Sequence, residues 1–405
     1  MTPTAATAAN AATSVVIVSY RPEDWLEPCI RSVIDQADEV IVVDNGSTGA
    51  LASSLAAPIG ATVVRSPRNL GFSGGVNLGV SKARGALVAL LNDDALAPPD
   101  WLRSSGAVLD DASIAAVGPK VVLSQRFHEI VLSDPPLQAP GDARTLGRQI
   151  RSVRVNGTDV LDQLVGAGVH KLETDGEDRW RWTNGSDPFY APVADTMQRV
   201  LVDGEMVSGG PARRLVNSAG MYLRDDGYAG DVGVATADDG RFDQAADRFG
   251  VSFTAVVFRR STWDRLGPLA SPYFAYYEDA DWCWRAQLAG LRIRYEPATR
   301  VVHRWSATSG GSSGPGVRVL SESNRTLTIV RNAPRPLALD HVRWRWNDGP
   351  GEGVRTRVLR HLPWAVASRA RAAQRLWKSD PEAVWSEWSG RDCSWDTSPA
   401  LRVFE

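Results

Sequence analysis

Residues 15–44 read VVIVSYRPEDWLEPCIRSVIDQADEVIVVD and contain one complete strand, helix and strand unit. The apolar, β-branched runs at 15–20 and 39–44 are typical of buried strands, and the segment from about Asp24 has helical periodicity. Two strands joined through a helix indicate a parallel pair, because parallel strands need a crossover connection of this length.

The same alternation continues along the chain. ATVVRS (61–66) and ALVALLN (86–92) predict two more strands, and a helix is expected from about Gly74. Repeated units of this kind predict an α/β fold with a doubly wound, Rossmann-like sheet that is buried on both faces. Ligands bind such sheets at the carboxyl ends of the strands, so the polar residues that follow each strand are candidates for a binding site.

The composition limits the classes of protein to consider. With 405 residues, 43% hydrophobic content and a formal net charge of -2, the chain allows two or three globular units and excludes a strongly basic nucleic-acid-binding protein. Its three cysteines, Cys29, Cys283 and Cys393, lack C-x-x-C spacing, which argues against a disulfide framework or a cysteine zinc site. Residues 1–13 predict a disordered tail, and no stretch approaches the roughly 20 apolar residues of a membrane span. A reducing cytoplasm fits these features best.

Four polar stretches are expected at the carboxyl rim of the sheet. They are Ser19-Tyr20-Arg21, Asp44-Asn45-Gly46-Ser47, Arg68-Asn69-Leu70-Gly71-Phe72 and Asn92-Asp93-Asp94. Asp44 is suited to accept a hydrogen bond from a base or ribose, and Gly74 and Gly75 would bring backbone N–H groups close to a phosphate. Each stretch alone is also compatible with ordinary turn chemistry. Neither G-x-G-x-x-G after the first strand nor G-x-x-x-x-G-K-[ST] is present, so hydride transfer and P-loop functions lose their main support.

Two acidic clusters call for an explanation. Asp93 and Asp94 follow a buried strand, where carboxylates are costly unless they are paired, hydrated or bound to a cation. A divalent ion that bridges a diphosphate takes one or two carboxylate oxygens, and Asp94 is suited to that role; an acidic surface turn is the alternative. Glu278, Asp279 and Asp281 begin a predicted helix, and helix capping explains one or two of the three.

Residues 14 to about 120 and 216 to about 310 resemble a family 2 glycosyltransferase of the GT-A fold. The motifs that carry the resemblance are VSYRPEDWLEPCIRSV (18–33), VVDNGST (42–48), PRNLGFSGGVNLGV (67–80), LLNDDA (90–95), VNSAGMYL (216–223) and YYEDADWCWRAQLAGLRIRYEPATRVVHRWSATSG (276–310). Their order and spacing make the match specific, and it covers about half of the chain. The resemblance is strongest to enzymes that add rhamnose, galactofuranose or similar sugars to cell-wall or surface polysaccharides.

The resemblance implies a site for a nucleoside-diphosphate sugar, dTDP- or UDP-linked. Asp44 would contact the base, and Asp94 and His303 would bind Mn²⁺ or Mg²⁺. Asn92 stands where the family's motif has its first acidic residue. The residues implied to line the nucleotide-sugar pocket are Ser19, Tyr20, Arg21, Asp44, Asn45, Ser47, Arg68, Asn69, Gly71, Phe72, Gly74, Asn77, Asn92 and Asp93.

The resemblance also implies a catalytic base, assigned to Asp279. A base is needed because the acceptor hydroxyl must lose its proton as it attacks the anomeric carbon, and one such displacement inverts the configuration. Glu278 would bind an acceptor hydroxyl or tune Asp279. The acceptor, a glycan or a lipid-linked sugar, would contact residues at or near the start of the predicted helix that carries Asp279. These are Tyr276, Tyr277, Asp281 and Trp282. Helix capping by Asp281 and a core position for one of Trp282 and Trp284 are the alternatives.

The remaining segments fall outside the resemblance. Residues 121–215 predict a β-rich insertion, with hairpin turns at Asp175-Gly176, Asn184-Gly185 and Asp203-Gly204. Residues 311–405 predict a flexible Gly/Ser-rich loop and a basic, mainly helical extension. The helix from Pro363 is expected to place one apolar face against either an anionic membrane surface, at the inner face of the plasma membrane, or the catalytic domain. That face would hold Val366, Ala370, Ala373 and Trp377, with Arg369, Arg371 and Arg375 pointing away.

The sequence thus predicts a metal-dependent, inverting hexosyltransferase with a nucleotide half (14–120), an insertion (121–215), a catalytic half (216–310) and the C-terminal extension. Three alternatives remain open. A catalytically inactive sugar-binding or scaffold relative would keep the fold without the reaction. A sugar-nucleotide pyrophosphorylase expects a basic, Gly-rich loop after the first strand, where SYRPED stands. A glycoside hydrolase uses paired carboxylates but needs no nucleotide rim.

Overall fold

The computed structural model describes residues 11–22, 24–139, 141–142, 144–193, 199–207, 212–304, 315–347, 349 and 351–395. The strands are β1 (Thr13–Ser19), β2 (Glu39–Asn45), β3 (Thr62–Ser66), β4 (Leu87–Leu91), β5 (Ala95–Leu96), β6 (Ile114–Ile130), β7 (Gln149–Ile150), β8 (Val153–Val155), β9 (Thr158–Asp159), β10 (Glu173–Asp175), β11 (Asp178–Trp182), β12 (Phe189–Val193), β13 (Val200–Val202), β14 (Glu205–Val207), β15 (Arg213–Ser218), β16 (Met221–Leu223), β17 (Ala229–Asp231), β18 (Ala246–Arg248), β19 (Ala255–Arg259) and β20 (Arg292–His303). The α-helices are α1 (Leu26–Val33), α2 (Leu51–Ala56), α3 (Gly71–Lys82), α4 (Trp101–Val108), α5 (Arg260–Leu266), α6 (Glu278–Leu288), α7 (Pro315–Asn332), α8 (Arg335–Asn347), α9 (Glu352–Arg375) and α10 (Pro381–Trp388). The predicted N-terminal tail, up to residue 10, and most of the Gly/Ser-rich loop lie outside the described residues.

The central sheet confirms the predicted α/β architecture. In the described residues its main path runs in the order β18-β20-β6-β19-β4-β1-β2-β3. Strands β1 to β4 are parallel. Ser19 pairs with Asp44, and Asp44 pairs with Arg65, so the carboxyl ends of β1, β2 and β3 lie side by side in the sheet. The four strands predicted from 15–20, 39–44, 61–66 and 86–92 all form, each within about two residues of its expected bounds. The polar stretches after these strands therefore meet at one edge.

Helix α3 packs closely on this sheet because it presents glycines to it. A Cβ on Gly75 would lie 2.5 Å from Cγ1 of Val18, and one on Gly79 would lie 2.3 Å from Cγ1 of Val16. Only a residue without a side chain allows this approach. Gly75 and Gly79 are thus explained by helix and sheet packing, whereas the sequence interpretation assigned Gly75 to a phosphate contact.

The second half of the chain completes the same sheet. Strand β19 runs antiparallel between β4 and β6, and β20 lies parallel to β6 along residues 292–303. His303 at the end of β20 pairs with Ala95 of β5, directly after the Asp93-Asp94 pair. Residues more than 200 positions apart in the sequence are thereby placed side by side at the carboxyl edge.

The insertion is β-rich, as predicted. The Asp175-Gly176 turn joins β10 to β11, and the Asp203-Gly204 turn joins β13 to β14, both as antiparallel hairpins. Asn184-Gly185 instead connects β11 to β12, which pairs with β6 of the main sheet. Strand β6 runs unbroken from Ile114 to Ile130, across the boundary predicted between residues 120 and 121, so the insertion continues directly from the central sheet.

The C-terminal extension is helical, as predicted, but the apolar face predicted for α9 is wrong for three of its four residues, since only Trp377 of the four packs against the core. Ala365 is fully buried, whereas Val366 is 53% exposed and Ala370 and Ala373 also face solvent. Arg369 points inward and donates to the carbonyl oxygens of Val330 and Ala333 at the end of α7. These carbonyls lack partners within their own helix, so a half-buried arginine is stabilised there. Among the described residues, no helix combines the length and apolarity needed to cross a bilayer.

Candidate functional site

A cavity of about 600 Å³ opens at the carboxyl edge of the sheet. The ends of β1, β2 and β4, the first turn of α3, the first turn of α6 and His303 of β20 surround it. Its lining residues are Val18, Tyr20, Asn45, Asn69, Gly71, Phe72, Asn92, Asp93, Asp94, Ser252, Phe253, Thr254, Phe274, Ala275, Tyr276, Glu278, Asp279, His303, Gly316, Val317 and Leu320. A cavity of this size, with apolar walls and a few converging polar groups, is typical of a small-molecule site.

The structure brings many of the sequence candidates together in this cavity. Those that line it are Tyr20, Asn45, Asn69, Gly71, Phe72, Asn92, Asp93, Asp94, Tyr276, Glu278, Asp279 and His303. The candidates that do not line it are Ser19, Arg21, Asp44, Ser47, Arg68, Gly74, Asn77, Tyr277, Asp281 and Trp282. In the second group Asp44 supports the rim from behind, Asp281 and Trp282 belong to the core, and Arg21 and Arg68 are exposed.

Asp44 supports the rim from behind. Its side chain is fully buried and accepts hydrogen bonds from the backbone N–H of Ser47 at 3.0 Å and the hydroxyl of Ser53 at 2.7 Å. Burial raises its pKa, but these hydrogen bonds outweigh that effect and hold the pKa of Asp44 below its usual value. Both carboxylate oxygens thus accept hydrogen bonds that fix the turn after β2. The structure therefore gives no support to the predicted contact between Asp44 and a nucleotide base.

Asn45 organises the next part of the rim. Its Nδ2 donates to Asn69 Oδ1 and to the carbonyl oxygen of Gly71, each at 3.1 Å, and its Oδ1 accepts from the N–H of Leu70 at 2.9 Å. Asn69 Oδ1 also accepts from the N–H of Gly71 at 2.8 Å. Two asparagines therefore shape the loop that leads into α3. Asn77 has a similar structural role, since its amide group bonds both the N–H and the carbonyl oxygen of Leu269.

The opposite wall contains an unusual backbone segment. Phe274, Tyr276 and Tyr277 have φ angles of 67°, 71° and 68°, a region that costs non-glycine residues free energy. The carbonyl oxygen of Phe274 accepts from the N–H of Ser73 at 3.0 Å, and Nδ2 of Asn324 donates to the carbonyl oxygens of Tyr273, Ala275 and Tyr276. Helices α3 and α7 thus hold this segment in place, and the first turn of α6 is positioned as a result.

Asp94 and His303 form the polar centre of the cavity. Oδ1 of Asp94 lies 3.0 Å from Nε2 of His303, and Nδ1 of His303 lies 2.7 Å from Oδ1 of Asn217. All three side chains are buried. Because an amide oxygen only accepts, Nδ1 carries a proton and donates to Asn217, which leaves Nε2 facing the carboxylate of Asp94. An imidazole nitrogen and a carboxylate oxygen are ligand types that bind divalent cations.

Glu278 and Asp279 present adjacent carboxyl groups to the cavity. Burial and the charge of Asp279 raise the pKa of Glu278 well above its usual value. Oε2 of Glu278 is buried and has no hydrogen-bond partner in the described part of the chain. Burial also raises the pKa of Asp279, opposed by backbone N–H groups that include that of Ala280, at 2.7 Å from Oδ1. Burial thus raises the pKa of both carboxyl groups, and the negative charge of Asp279 adds to the rise at Glu278.

Three predicted acceptor residues belong to the core instead. Asp281 is fully buried and lies 3.0 Å from Arg285 and 2.7 Å from Arg331. Trp282 is fully buried against Phe253, Phe258 and Trp263. Tyr277 is 9% exposed, and its hydroxyl accepts from the N–H of Ala229. Tyr276 alone of this group lines the cavity. Trp284 is also a core residue, packed on Phe249 and Trp385.

Sequence reasoning missed several residues of the site. Ser252 to Thr254 line the cavity because β19 begins next to Asn92, whose N–H donates to the carbonyl oxygen of Thr254. Val317 and Leu320 reach it from α7. Asn217 lies in the VNSAGMYL motif, which was the one available signal for it. Asp231 does not line the cavity, and nothing in the sequence pointed to it; burial, together with the charge of Asp279, raises its pKa to about 7.

Comparisons with known proteins agree with this architecture. Residues 14–149, about a third of the chain, match the model of the family described as Glycosyl transferase family 2. An uncharacterised glycosyltransferase of Haemophilus influenzae is 28% identical over 113 residues, which are 26% of this chain and 35% of that protein. The crystal structure of GalNAc-T7 with UDP, GalNAc and Mn²⁺ superimposes with a TM-score of 0.54 at 12% identity, covering 93% of this chain and 56% of that one.

These likenesses differ in what they establish. The structural likeness, at low sequence identity, shows that the chain has the GT-A fold. The sequence matches support the family 2 glycosyltransferase resemblance over the N-terminal part of the chain. The chain spans a little over a third of the Haemophilus protein and about half of GalNAc-T7, so activity and substrates are matters for proposal.

Proposed function

We propose that this protein is a metal-dependent, inverting family 2 glycosyltransferase. It transfers a sugar, rhamnose, galactofuranose or a similar hexose, from a dTDP- or UDP-linked donor to a glycan or lipid-linked acceptor of the cell envelope. One observation carries the proposal: the Asp94 and His303 pair and the Glu278 and Asp279 pair line a single cavity at the carboxyl edge of a nucleotide-binding type of sheet. A cation site and a base site are thereby brought together where a sugar nucleotide would lie.

The donor set fits a divalent ion. Neighbouring ligands of an octahedral ion with bonds of about 2.1 Å lie about 3.0 Å apart. Oδ1 of Asp94 and Nε2 of His303 have this separation, and imidazole with carboxylate suits Mn²⁺ as well as Mg²⁺. In the described residues no group of three or more His, Cys, Asp or Glu is arranged to hold a metal alone. The remaining ligands would be diphosphate oxygens and water, and the bound ion would neutralise the leaving diphosphate.

Asn217 is a positioning residue for this ion. Its Oδ1 fixes the Nδ1–H of His303 and so presents Nε2 to the cavity. Asn217→Ala is expected to weaken Mn²⁺ binding by about 10–100-fold, as is usual when the partner of a metal-bound histidine is removed. Titration with Mn²⁺ in the presence of UDP or dTDP measures this. Asn217→Asp, which keeps an acceptor oxygen, is the control, and equal loss in both variants would refute the positioning role.

The chemistry follows from the two carboxyl groups of α6. Asp279 accepts the proton of the acceptor hydroxyl as that oxygen attacks the anomeric carbon. Glu278 lies beside it, and its raised pKa, caused by burial and by the charge of Asp279, opposes a second negative charge in the cavity. The nucleoside diphosphate leaves on the opposite side of the sugar, toward Asp94 and His303. One displacement of this kind inverts the anomeric configuration.

Calorimetric titration with UDP and dTDP, with and without Mn²⁺, tests the proposal. One nucleotide is expected to bind only with the metal, and Asp94→Ala is expected to abolish that binding because it removes the carboxylate ligand. Asp35→Ala, which removes an exposed carboxylate outside the cavity, is the control and should bind normally. Binding that survives Asp94→Ala unchanged would refute the metal site. Absence of binding with every combination would refute these donors and favour an inactive, sugar-binding relative.

A further inference from the structure

A second cleft lies on the far side of the segment that walls the donor cavity. It has a volume of about 530 Å³ and is formed by the end of α5, the loop at 267–272, and α9. Five arginines line it, and no aspartate or glutamate does: Arg265, Arg285, Arg331, Arg371 and Arg375. We propose that this arginine cleft binds a phosphate-bearing ligand, independently of the donor site.

The floor of the arginine cleft keeps an excess of positive charge. Arg285 and Arg331 are buried and share one carboxylate, that of Asp281. Arg285 also donates to the carbonyl oxygens of Leu266 and Pro268, which fixes its position. Two guanidinium groups against one carboxylate leave about one net positive charge in a region where water screens poorly. An anion above this floor is therefore attracted.

The rim of the arginine cleft adds three more charges. Arg371 and Arg375 are one turn apart on α9 and exposed, and Arg265 faces them from α5. In the described part of the chain none of the three pairs with a carboxylate, and Arg265 makes one hydrogen bond, to the carbonyl oxygen of Ala289. Like charges one turn apart destabilise a helix slightly. A bound anion would relieve that repulsion and use the free donors.

The shape and chemistry favour phosphate over a simple carboxylate. Guanidinium groups form pairs of parallel hydrogen bonds with phosphate oxygens, and several arginines can share the oxygens of one phosphate or diphosphate. The walls of the arginine cleft are apolar where Leu269 and Trp364 line it, so there is room for a carbon-containing part as well. A cleft of this volume falls within the range for small-molecule sites.

The arginine cleft and the donor cavity are separate sites on one segment. Ser271 and Pro272 line the cleft, whereas Phe274 to Tyr276 line the donor cavity. Tyr273 between them is fully buried, and its hydroxyl lies 2.9 Å from that of Thr328 in α7. Substitutions in the arginine cleft therefore leave the donor cavity unchanged, and the reverse also holds. Binding to the two sites can be measured separately with such variants.

Titration with inorganic pyrophosphate in metal-free buffer tests this proposal. The Asp94→Ala protein is used beside the wild type, so that the outcome does not depend on the donor site. Both are expected to bind pyrophosphate alike. The double variant Arg371→Ala/Arg375→Ala and the single variant Arg265→Ala are expected to bind it about tenfold more weakly or worse, since each lost bond joins two charged groups. Arg360→Ala, an exposed arginine of the same helix outside the cleft, is the matched control.

Sedimentation with phosphatidylglycerol vesicles distinguishes the source of the phosphate. Binding of pyrophosphate without vesicle binding identifies a soluble phosphate ligand, and vesicle binding that the double variant loses identifies a lipid phosphate. Either result supports the arginine cleft, provided that thermal unfolding shows the variants to be folded. The proposal is overturned if neither probe binds, or if binding persists in the double variant and in Arg265→Ala.

Discussion

Asp279→Asn is expected to lower turnover by about 10²–10⁴-fold, the usual contribution of a positioned general base. The substitution keeps the size of the side chain and its place in the first turn of α6, but an amide cannot accept the acceptor's proton. Because Asp279 is not one of the two proposed metal ligands, metal-dependent nucleotide binding should remain. The loss should therefore appear in kcat, with the nucleotide Kd unchanged.

The measurement uses the nucleotide that titration identifies. A panel of its sugar conjugates is screened for release of the nucleoside diphosphate, and the rate is then compared between wild type and variant. Glu278→Gln is the matched control, since it replaces the neighbouring carboxyl group, whose pKa is raised by burial, with an amide of the same shape. A smaller loss is expected from it. Activity of Asp279→Asn within a few-fold of the wild type would exclude Asp279 as the base.

The fold and one side of the site were predictable from the sequence for a definite physical reason. Strands β1 to β4 are short apolar runs that end in polar residues, and parallel strands place those ends at one edge. Asn45, Asn69 and Asp94 therefore reached the cavity as expected. His303 was identified through the motif around it and not through the sheet, because its approach to Asp94 depends on strand β20 entering from far along the chain.

The orientation of helices was not predictable in the same way. Trp282 and Asp281 are side chains of types found at sugar sites, yet both face the core because α6 is covered on nearly all sides. The face of α9 was predicted from its apolar residues, but the carbonyl groups at the end of α7 select Arg369 instead. In both cases a contact with another helix or with the core outweighs the hydrophobic pattern of the helix itself. That pattern does not show which part of the chain will pack against the helix.

The three acidic residues in the first turn of α6 have different structural surroundings. Its first two residues, Glu278 and Asp279, face the cavity, whereas Asp281 turns into the core. Residues two apart on a helix point in different directions, so acids close in sequence serve different parts of the molecule. The carboxylate of Asp281 anchors the helix through Arg285 of the same helix and Arg331 and Asn332 of α7. Placement of Asp279, the proposed base, thus depends on this buried network.

Asp281→Ala is accordingly expected to lower the free energy of unfolding by about 3–5 kcal/mol, because it leaves Arg285 and Arg331 buried without their counter-charge. Chemical denaturation of the wild type and the variant measures this. Asp264→Ala is a matched control: Asp264 also pairs with an arginine one turn away, at 3.2 Å from Arg260, but its side chain is 61% exposed. Exposed pairs contribute about 0.2–1 kcal/mol. A loss at Asp281 no larger than that at Asp264 would show that the buried arginines are stabilised by the carbonyl groups around them, and that Asp281 does not anchor the helix that carries the base.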